Sequence, residues 1–330
     1  MAEIIETTLD RVRALERAVD VLSQGRPIAL PTETVYGLAA DATRADAIAS
    51  IYEVKGRPRF NPLISHVSDM EMAESHGLFD PLSRRLAEAF WPGPLTLVVA
   101  RAPGSAVHAL ATAGLDTLGL RMPAGFAREV IAAFGKPLAA PSANTSGRIS
   151  PTTAAHVADD LGSAIDLILD AGPADIGLES TIVKVENGQL RLLRPGGLEA
   201  ADIEAVAGQR LLRPEAAGAA IKAAGAALEA PGMLASHYAP GAAVRLDATD
   251  VRPGEALIRF GGMALPGEAA AVIVLDLSPS GHLREAAANL FSYMKQADAT
   301  GARTIAFSAI PSQGLGEAIR DRLERAAAPR

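Results

Sequence analysis

The sequence predicts a two-domain α/β protein in which a larger mixed sheet is followed by a smaller open one. Three observations carry this. Helix-like and strand-like segments alternate through residues 9–193. The turn Glu186-Asn187-Gly188 joins two strand-like runs as a hairpin, so the first sheet contains an antiparallel pair. Strand and helix then alternate again after residue 241. A chain of 330 residues is long enough for about two domains at roughly 150 residues each.

The elements follow in order. Leu9, Val12, Leu15, Val19 and Leu22 recur at helical spacing behind Thr8, the expected N-cap, and Gly25 and Pro27 close that helix. A strand over 27–31 precedes a helix over 45–54, a strand over 62–67, a helix over 82–91 and a strand over 95–100. Strand 118–122, helix 126–134, strand 137–140, helix 152–161, strand 165–169 and the hairpin strands 181–185 and 190–193 complete the first unit, 1–207. Residues 208–240 turn to Ala, Gly and Pro without a clean period and read as a connector. In the second unit, 241–330, buried strands are expected at 243–246, 256–260, 271–277 and 304–309, with helices at 283–299 and 316–328.

Composition removes several functions. There is no cysteine, hence no disulfide, thiolate nucleophile or cysteine zinc site, and the six histidines show no HExxH spacing. No GxxxxGK[ST] loop and no GxSxG elbow occurs. The longest apolar run, Ala269 to Leu275, is far shorter than the ~18 residues a membrane span requires, and the start carries Glu3 and Glu6 instead of a basic signal region, so a cytoplasmic protein is expected. The net charge is −7, and residues 241–330 hold ten basic and ten acidic residues, so the deficit lies in the first 240. That balance disfavours binding nucleic acid mainly through its phosphates.

Four polar clusters sit at expected strand ends, where α/β proteins place ligands. Pro31 to Gly37, PTETVYG, offers hydroxyls at Thr32 and Thr34 beside Glu33 and Tyr36, or simply a capped turn. In KGRPRFNPL, Lys55 to Leu63, the cations Lys55, Arg57 and Arg59 crowd around Gly56 and Pro58, suited to a triphosphate or else an exposed basic loop. Pro137 to Val157 runs an apolar strand into Ser142, Asn144, Thr145, Ser146, Gly147, Arg148 and Ser150 before a helix, a segment that admits phosphate oxygens close to the backbone or forms an ordinary polar turn. Arg121 in LGLRMP and Arg194 in LLRPGG each require an anion, either a substrate group or an internal Asp or Glu. Cations and hydroxyls of this kind suit nucleotide-dependent group transfer by positioning and electrostatics.

These residues, with WPGPLTLV, GLESTIV, LRPGG, PGMLASHYAP and GLGEAIRDRLERAA, make nearly the whole chain resemble the YrdC-like threonylcarbamoyl-AMP synthase family in its long two-domain form. The resemblance implies a twisted mixed-sheet YrdC-like catalytic domain, then a Rossmann-like one. The implied activity joins L-threonine, bicarbonate and ATP into threonylcarbamoyl-AMP and pyrophosphate, for threonylcarbamoyladenosine in tRNA. It implies that Thr34, His66, Arg121 and Ser180, with the backbone around Ala140, contact threonine. Lys55, Arg57, Asn61, Thr117, Ser142, Asn144, Ser150 and Arg194 would face ATP, and His237 and Tyr238 of the connector would lie near the nucleotide. Lys55, Arg57, Ser142 and Asn144 are the expected catalytic group. Mg2+ would be held mainly through ATP phosphates with no protein metal site, and a downstream tRNA threonylcarbamoyl transferase would be a partner. Where many members read RxPxHP, this chain reads Arg121-Met122-Pro123-Ala124-Gly125-Phe126, so any role of that histidine is missing, and Leu234-Ala235-Ser236 stands where members carry Lys-Tyr-Arg. Two rivals remain at this stage, a carbamoyl-transfer enzyme with a related domain and a non-enzymatic module that binds tRNA directly.

Overall fold

The computed structural model describes residues 1–58, 61–213, 229–232 and 236–329. Arg59, Leu234 and Ala235, which the sequence analysis singled out, lie outside the described residues. The first unit contains strands β1 (Glu3–Glu6), β2 (Ile28–Leu30), β3 (Gly37–Asp41), β4 (Ile64–His66), β5 (Gly77–Leu78), β6 (Leu95–Arg101), β7 (Thr117–Arg121), β8 (Leu138–Ala139), β9 (Leu167–Asp170), β10 (Thr181–Glu186) and β11 (Gln189–Arg194). They join in the order β1-β9-β2-β3-β8-β4-β7-β6-β10-β11, with β5 on β6. The sheet is mixed: β4 runs parallel to β7, β6 antiparallel to β7, β10 parallel to β6, and β10 and β11 form the expected antiparallel hairpin.

Successive strand residues point to opposite faces, and the core divides accordingly. Ile28, Leu30 and Ala39 pack with α1 (Arg11–Ser23) and α5 (Phe126–Phe134). Ala29, Leu38 and Ala40 pack on the other face with α2 (Ala45–Lys55), α4 (Pro81–Phe90) and α6 (Ala154–Leu161). The helix α7 (Ala200–Ala207) lies against α4. The first helix begins later than expected: Asp10, not Thr8, is its N-cap and accepts from the Arg13 N–H, and Ser23 is its last residue. Strands β1 and β3 and the helices α3 (Met70–His76) and α7 were not expected from sequence.

The second unit is a parallel four-stranded sheet, β12 (Ala243–Arg245), β13 (Ala256–Arg259), β14 (Ile273–Asp276) and β15 (Thr304–Phe307), in the order β12-β15-β13-β14. Helices α8 (Leu283–Ala299) and α9 (Leu315–Ala327) cover one face. The expectation of four buried strands holds for β13 and most of β15. It fails for β12 and β14, which are partly exposed because each forms a sheet edge. One apolar cluster spans both units, joining Val35, Ile149, Leu178 and Tyr238 to Phe291, Ile319 and Leu323. Among the described residues no helix is long and apolar enough to cross a membrane.

Candidate active site

The sheet register assembles one end of the site. His66 and Arg121 are direct partners at the ends of the parallel pair β4 and β7. The antiparallel turn of β6 on β7 brings the entry to β6 beside them, where Gly93 donates to the Met122 carbonyl. Ser180 precedes β10, whose parallel pairing with β6 places it in the same row, and Arg194 ends β11 on the far side of β10. A bridge between Gly37 and Ser142 ties the PTETVYG segment to the loop after β8.

These elements enclose a cavity with about 590 Å3 of empty space, counting its open mouth. Thr34, His66, Arg121, Ala140 and Ser180 line it, as do Arg57, Ser142, Arg194, His237 and Tyr238. Lys55, Asn61, Thr117, Asn144 and Ser150 do not. Lys55, at the end of α2, is fully buried behind the loop, where its ammonium donates to the Ser142 carbonyl at 2.5 Å and to the Asn144 carbonyl. Burial, with Arg57 adding repulsion, pulls its pKa well below the usual lysine range. The Asn144 amide in turn donates to the Thr145 and Arg148 carbonyls at 2.7 and 3.0 Å. Asn61 accepts through its carbonyl from Arg57 Nε at 3.4 Å, and Ser150 donates to Glu179 at 2.5 Å. Thr117 starts β7 opposite Ala100, at the strand end remote from Arg121.

Arg121 has an internal partner. Its Nη2 lies 2.8 Å from Glu33 Oε1, both side chains being largely buried, yet neither atom makes a directed hydrogen bond. That leaves the guanidinium able to receive a further anion from the cavity side. Burial, with Arg121 next, holds His66 near pKa 3, so its ring is neutral at physiological pH. Thr32 commits its hydroxyl proton to the Val35 carbonyl at 2.6 Å, so Thr34, 2.8 Å away, donates to Thr32 and turns an acceptor lone pair outward.

The other end is cationic. Arg194 donates to the Ser180 carbonyl at 2.8 Å and to the Ser180 hydroxyl at 3.2 Å. Arg57 donates to the Pro62 carbonyl at 3.1 Å and is held by burial near pKa 10, still protonated at neutral pH. Gly196 makes this packing possible, because a Cβ there would come within 2.3 Å of the Glu179 carbonyl oxygen. The connector closes the wall: His237 donates its N–H to the Arg325 carbonyl, Ala239 to the Gly147 carbonyl, and the buried His237 Nδ1 has no partner among the described residues. His237 is also held near pKa 3, by burial above all.

Sequence reading did not single out Glu179 or Arg322. Glu179 lines the cavity, its Oε1 accepting from Ser150 and its Oε2 from Arg322 Nε at 2.8 Å. The signal was present in α9: Arg322 falls on the apolar stripe of Leu315, Ala318, Ile319, Leu323 and Ala326, and an arginine on a buried face must meet an anion.

A family profile described as "Telomere recombination", named for Sua5, YciO and YrdC, matches residues 20–196, and one described as "Threonylcarbamoyl-AMP synthase, C-terminal domain" matches residues 198–328. The chain belongs to the Sua5/YrdC family. The threonylcarbamoyl-AMP synthase of Pyrococcus abyssi is 39% identical over 322 residues, covering 94% of this chain and 92% of that protein. The Bacillus subtilis enzyme of the same name is 38% identical over 96% of this chain and 93% of its own. Among solved structures, P. abyssi Sua5 complexed with L-threonine superposes with a TM-score of 0.84 at 37% identity, covering 95% of this chain and 94% of the other. The Sua5-type two-unit architecture therefore extends through the whole described chain. The second profile starts ahead of α7, although that helix packs against α4 of the first unit.

Proposed function

We propose that this protein is a threonylcarbamoyl-AMP synthase, joining L-threonine, bicarbonate and ATP into L-threonylcarbamoyladenylate with release of pyrophosphate. The observation that carries the reading is the division of one cavity into a neutral and hydroxyl-lined end around Arg121 and a cationic end at Arg57 and Arg194, in a chain whose full-length relatives bear that name.

Arg121 takes the threonine carboxylate, the outward lone pair of Thr34 accepts from its amino or hydroxyl group, and neutral His66 and Ser180 complete the pocket beside the Ala140 backbone. The amine nitrogen bonds to the carbon of CO2 and releases a proton, or to that of bicarbonate, whose hydroxyl leaves with the amine proton as water; a carbamate oxygen then attacks the α-phosphorus of ATP as the bond to pyrophosphate breaks. Every reactant is anionic, so Arg57 and Arg194 stabilise phosphate charge while the Ser142 loop, held from behind by Lys55 and Asn144, positions the nucleotide. His237 and Tyr238 exclude water from the adenylate. The nearby carboxylates are committed, Glu33 to Arg121 and Glu179 to Arg322, and among the described residues no three His, Asp or Glu side chains converge on a metal-sized point. An accompanying Mg2+ ion would accordingly be held mainly by phosphate oxygens and supply charge neutralisation there. The reading places the enzyme in the cytoplasm, feeding a tRNA threonylcarbamoyl transferase.

The test is mass-spectrometric product analysis after incubation with ATP, threonine and bicarbonate. A threonylcarbamoyl adduct of AMP that requires all three is expected. Equal release of AMP and pyrophosphate without bicarbonate, and no adduct, would overturn the assignment.

A further inference from the structure

Four charged side chains line the cavity: Arg57, Arg121, Arg194 and Glu179. Arg121 is balanced from behind by Glu33. Arg57 and Arg194 bond only carbonyl and hydroxyl oxygens, and neither has an ion-pair partner among the described residues. Glu179 is the group that decides the remaining charge, since it lies within electrostatic reach of two arginines, Arg194 and Arg322. Its ion pair is with Arg322, which belongs to α9 of the second unit, 143 positions away, and is fully buried.

Arg322 has no free choice of partner. Its Nη1 is 2.5 Å from Asp321, and its guanidinium lies 5.1 Å from the Tyr238 ring centroid. Tyr238 stacks in turn on Phe291 of α8 at 5.6 Å. The second unit and the connector thus fix one guanidinium against Glu179. Without that cation, the carboxylate would be buried beside a single remaining arginine, Arg194, and would neutralise it.

Resting on the synthase reading above, we propose that Arg322 is a positioning residue of the nucleotide site: by holding Glu179 from the second unit, it leaves the charge of Arg194 available to ATP phosphates. The second unit then does more than support the wall of the cavity. Its docking sets the cation content of a site to which it contributes no lining residue of its own helices.

The test is a mutant cycle in the full chain, R322M, E179Q and R322M/E179Q, with R322K as the charge-conserving control, reading adduct formation and KM for ATP and threonine separately. R322M is expected to lower kcat/KM for ATP at least about tenfold, the value of one charge-assisted contact, with threonine KM changing less than about twofold. The double variant is expected to recover most of that loss, because no carboxylate remains to neutralise Arg194, and R322K to stay close to wild type. Equal losses for both substrates, or a double variant no better than R322M, would reduce the pair to a structural link and overturn the proposal. If R322M alone fails to fold, E179Q must restore folding for the proposal to stand, and failure of both variants overturns it. A wild-type chain that makes no adduct defeats the synthase reading instead; the same cycle read by ATP titration calorimetry still decides the Glu179–Arg322 coupling.

Discussion

Arg121 and Glu33 form an ion pair 2.8 Å across that is almost shut off from solvent, with side-chain exposures of 5% and 13%. Removing one member of such a pair strands the other, at a cost of about 3–5 kcal/mol. Arg121→Ala is therefore expected to lower stability as well as threonine affinity, and Arg121→Ala/Glu33→Gln to regain much of the stability without regaining the affinity. The affinity loss should be roughly 10- to 150-fold for threonine and much smaller for ATP, the value of a charge-assisted bond of about 1.5–3 kcal/mol. Calorimetric titration of each ligand with both variants decides this, and a variant that loses ATP but keeps threonine would move Arg121 to the phosphates.

Lys55 shows how a residue can be found in sequence while its direction stays hidden. The crowding of cations around Gly56 marks a functional loop, yet the helix α2 ends in left-handed Gly56 at φ 58°, and Lys55 turns inward onto two loop carbonyls. Lys55→Met takes the ammonium donor from both carbonyls, of which that of Ser142 still accepts from the Asn144 N–H at 3.0 Å, a loss of about 1–3 kcal/mol. Faster hydrogen exchange across residues 142–148 should accompany a fall in kcat/KM for ATP. Loss of nucleotide affinity with unchanged exchange would instead mean that Lys55 reaches the phosphates directly.

The same contrast runs through the fold. Strand β6, LTLVVAR, was legible because a continuous apolar run is buried on both faces, and the hairpin because Asn187-Gly188 supplies its turn. Strand β3, GLAAD, was not, since its alanines carry little strand preference and pairing with β2 and β8 imposes the conformation. At the site, residues within one motif could be grouped from sequence, and ten of them do line one cavity. The pairing of Glu179 with Arg322 could not be, because only the docking of two units makes them neighbours.

Two buried histidines give stability a pH dependence of definite sign. The folded pKa values of His66 and His237, near 3, lie below the ordinary imidazole value of 6.5, so the unfolded chain takes up these protons first as pH falls. Their contribution is complete above about pH 6.5 and is lost progressively down to about pH 3, each proton contributing a slope of roughly 1.4 kcal/mol per pH unit. Urea unfolding between pH 4 and 7 should show stability decreasing with acidification. His66→Asn should remove about one proton from that slope. An unchanged slope in the variant would mean that His66 is protonated in the folded chain.

Tyr238 is held in the left-handed region at φ 61°, a conformation that disfavours any residue with a side chain by about 1–2 kcal/mol. The fold sustains it because the ring is enclosed on several sides, by Arg322, by Phe291 at 5.6 Å and by His237 at 4.1 Å, and because its hydroxyl approaches Gly232 where a Cβ would lie 3.0 Å from it. Backbone and ring therefore oppose each other at one position, and substitution can separate them. Tyr238→Phe keeps the ring and should stay within about 1 kcal/mol of wild type, whereas Tyr238→Ala loses the packing at a cost of about 3–5 kcal/mol. Tyr238→Gly loses the same ring but relieves the left-handed backbone, so it should be as stable as the alanine variant or more so, against the usual ranking of glycine below alanine. If the ring also closes the nucleotide site, alanine and glycine should both raise KM for ATP, and ATP with threonine should no longer protect residues 236–240 from hydrogen exchange. Wild-type ATP kinetics in both variants would limit Tyr238 to joining the two units and remove it from the site.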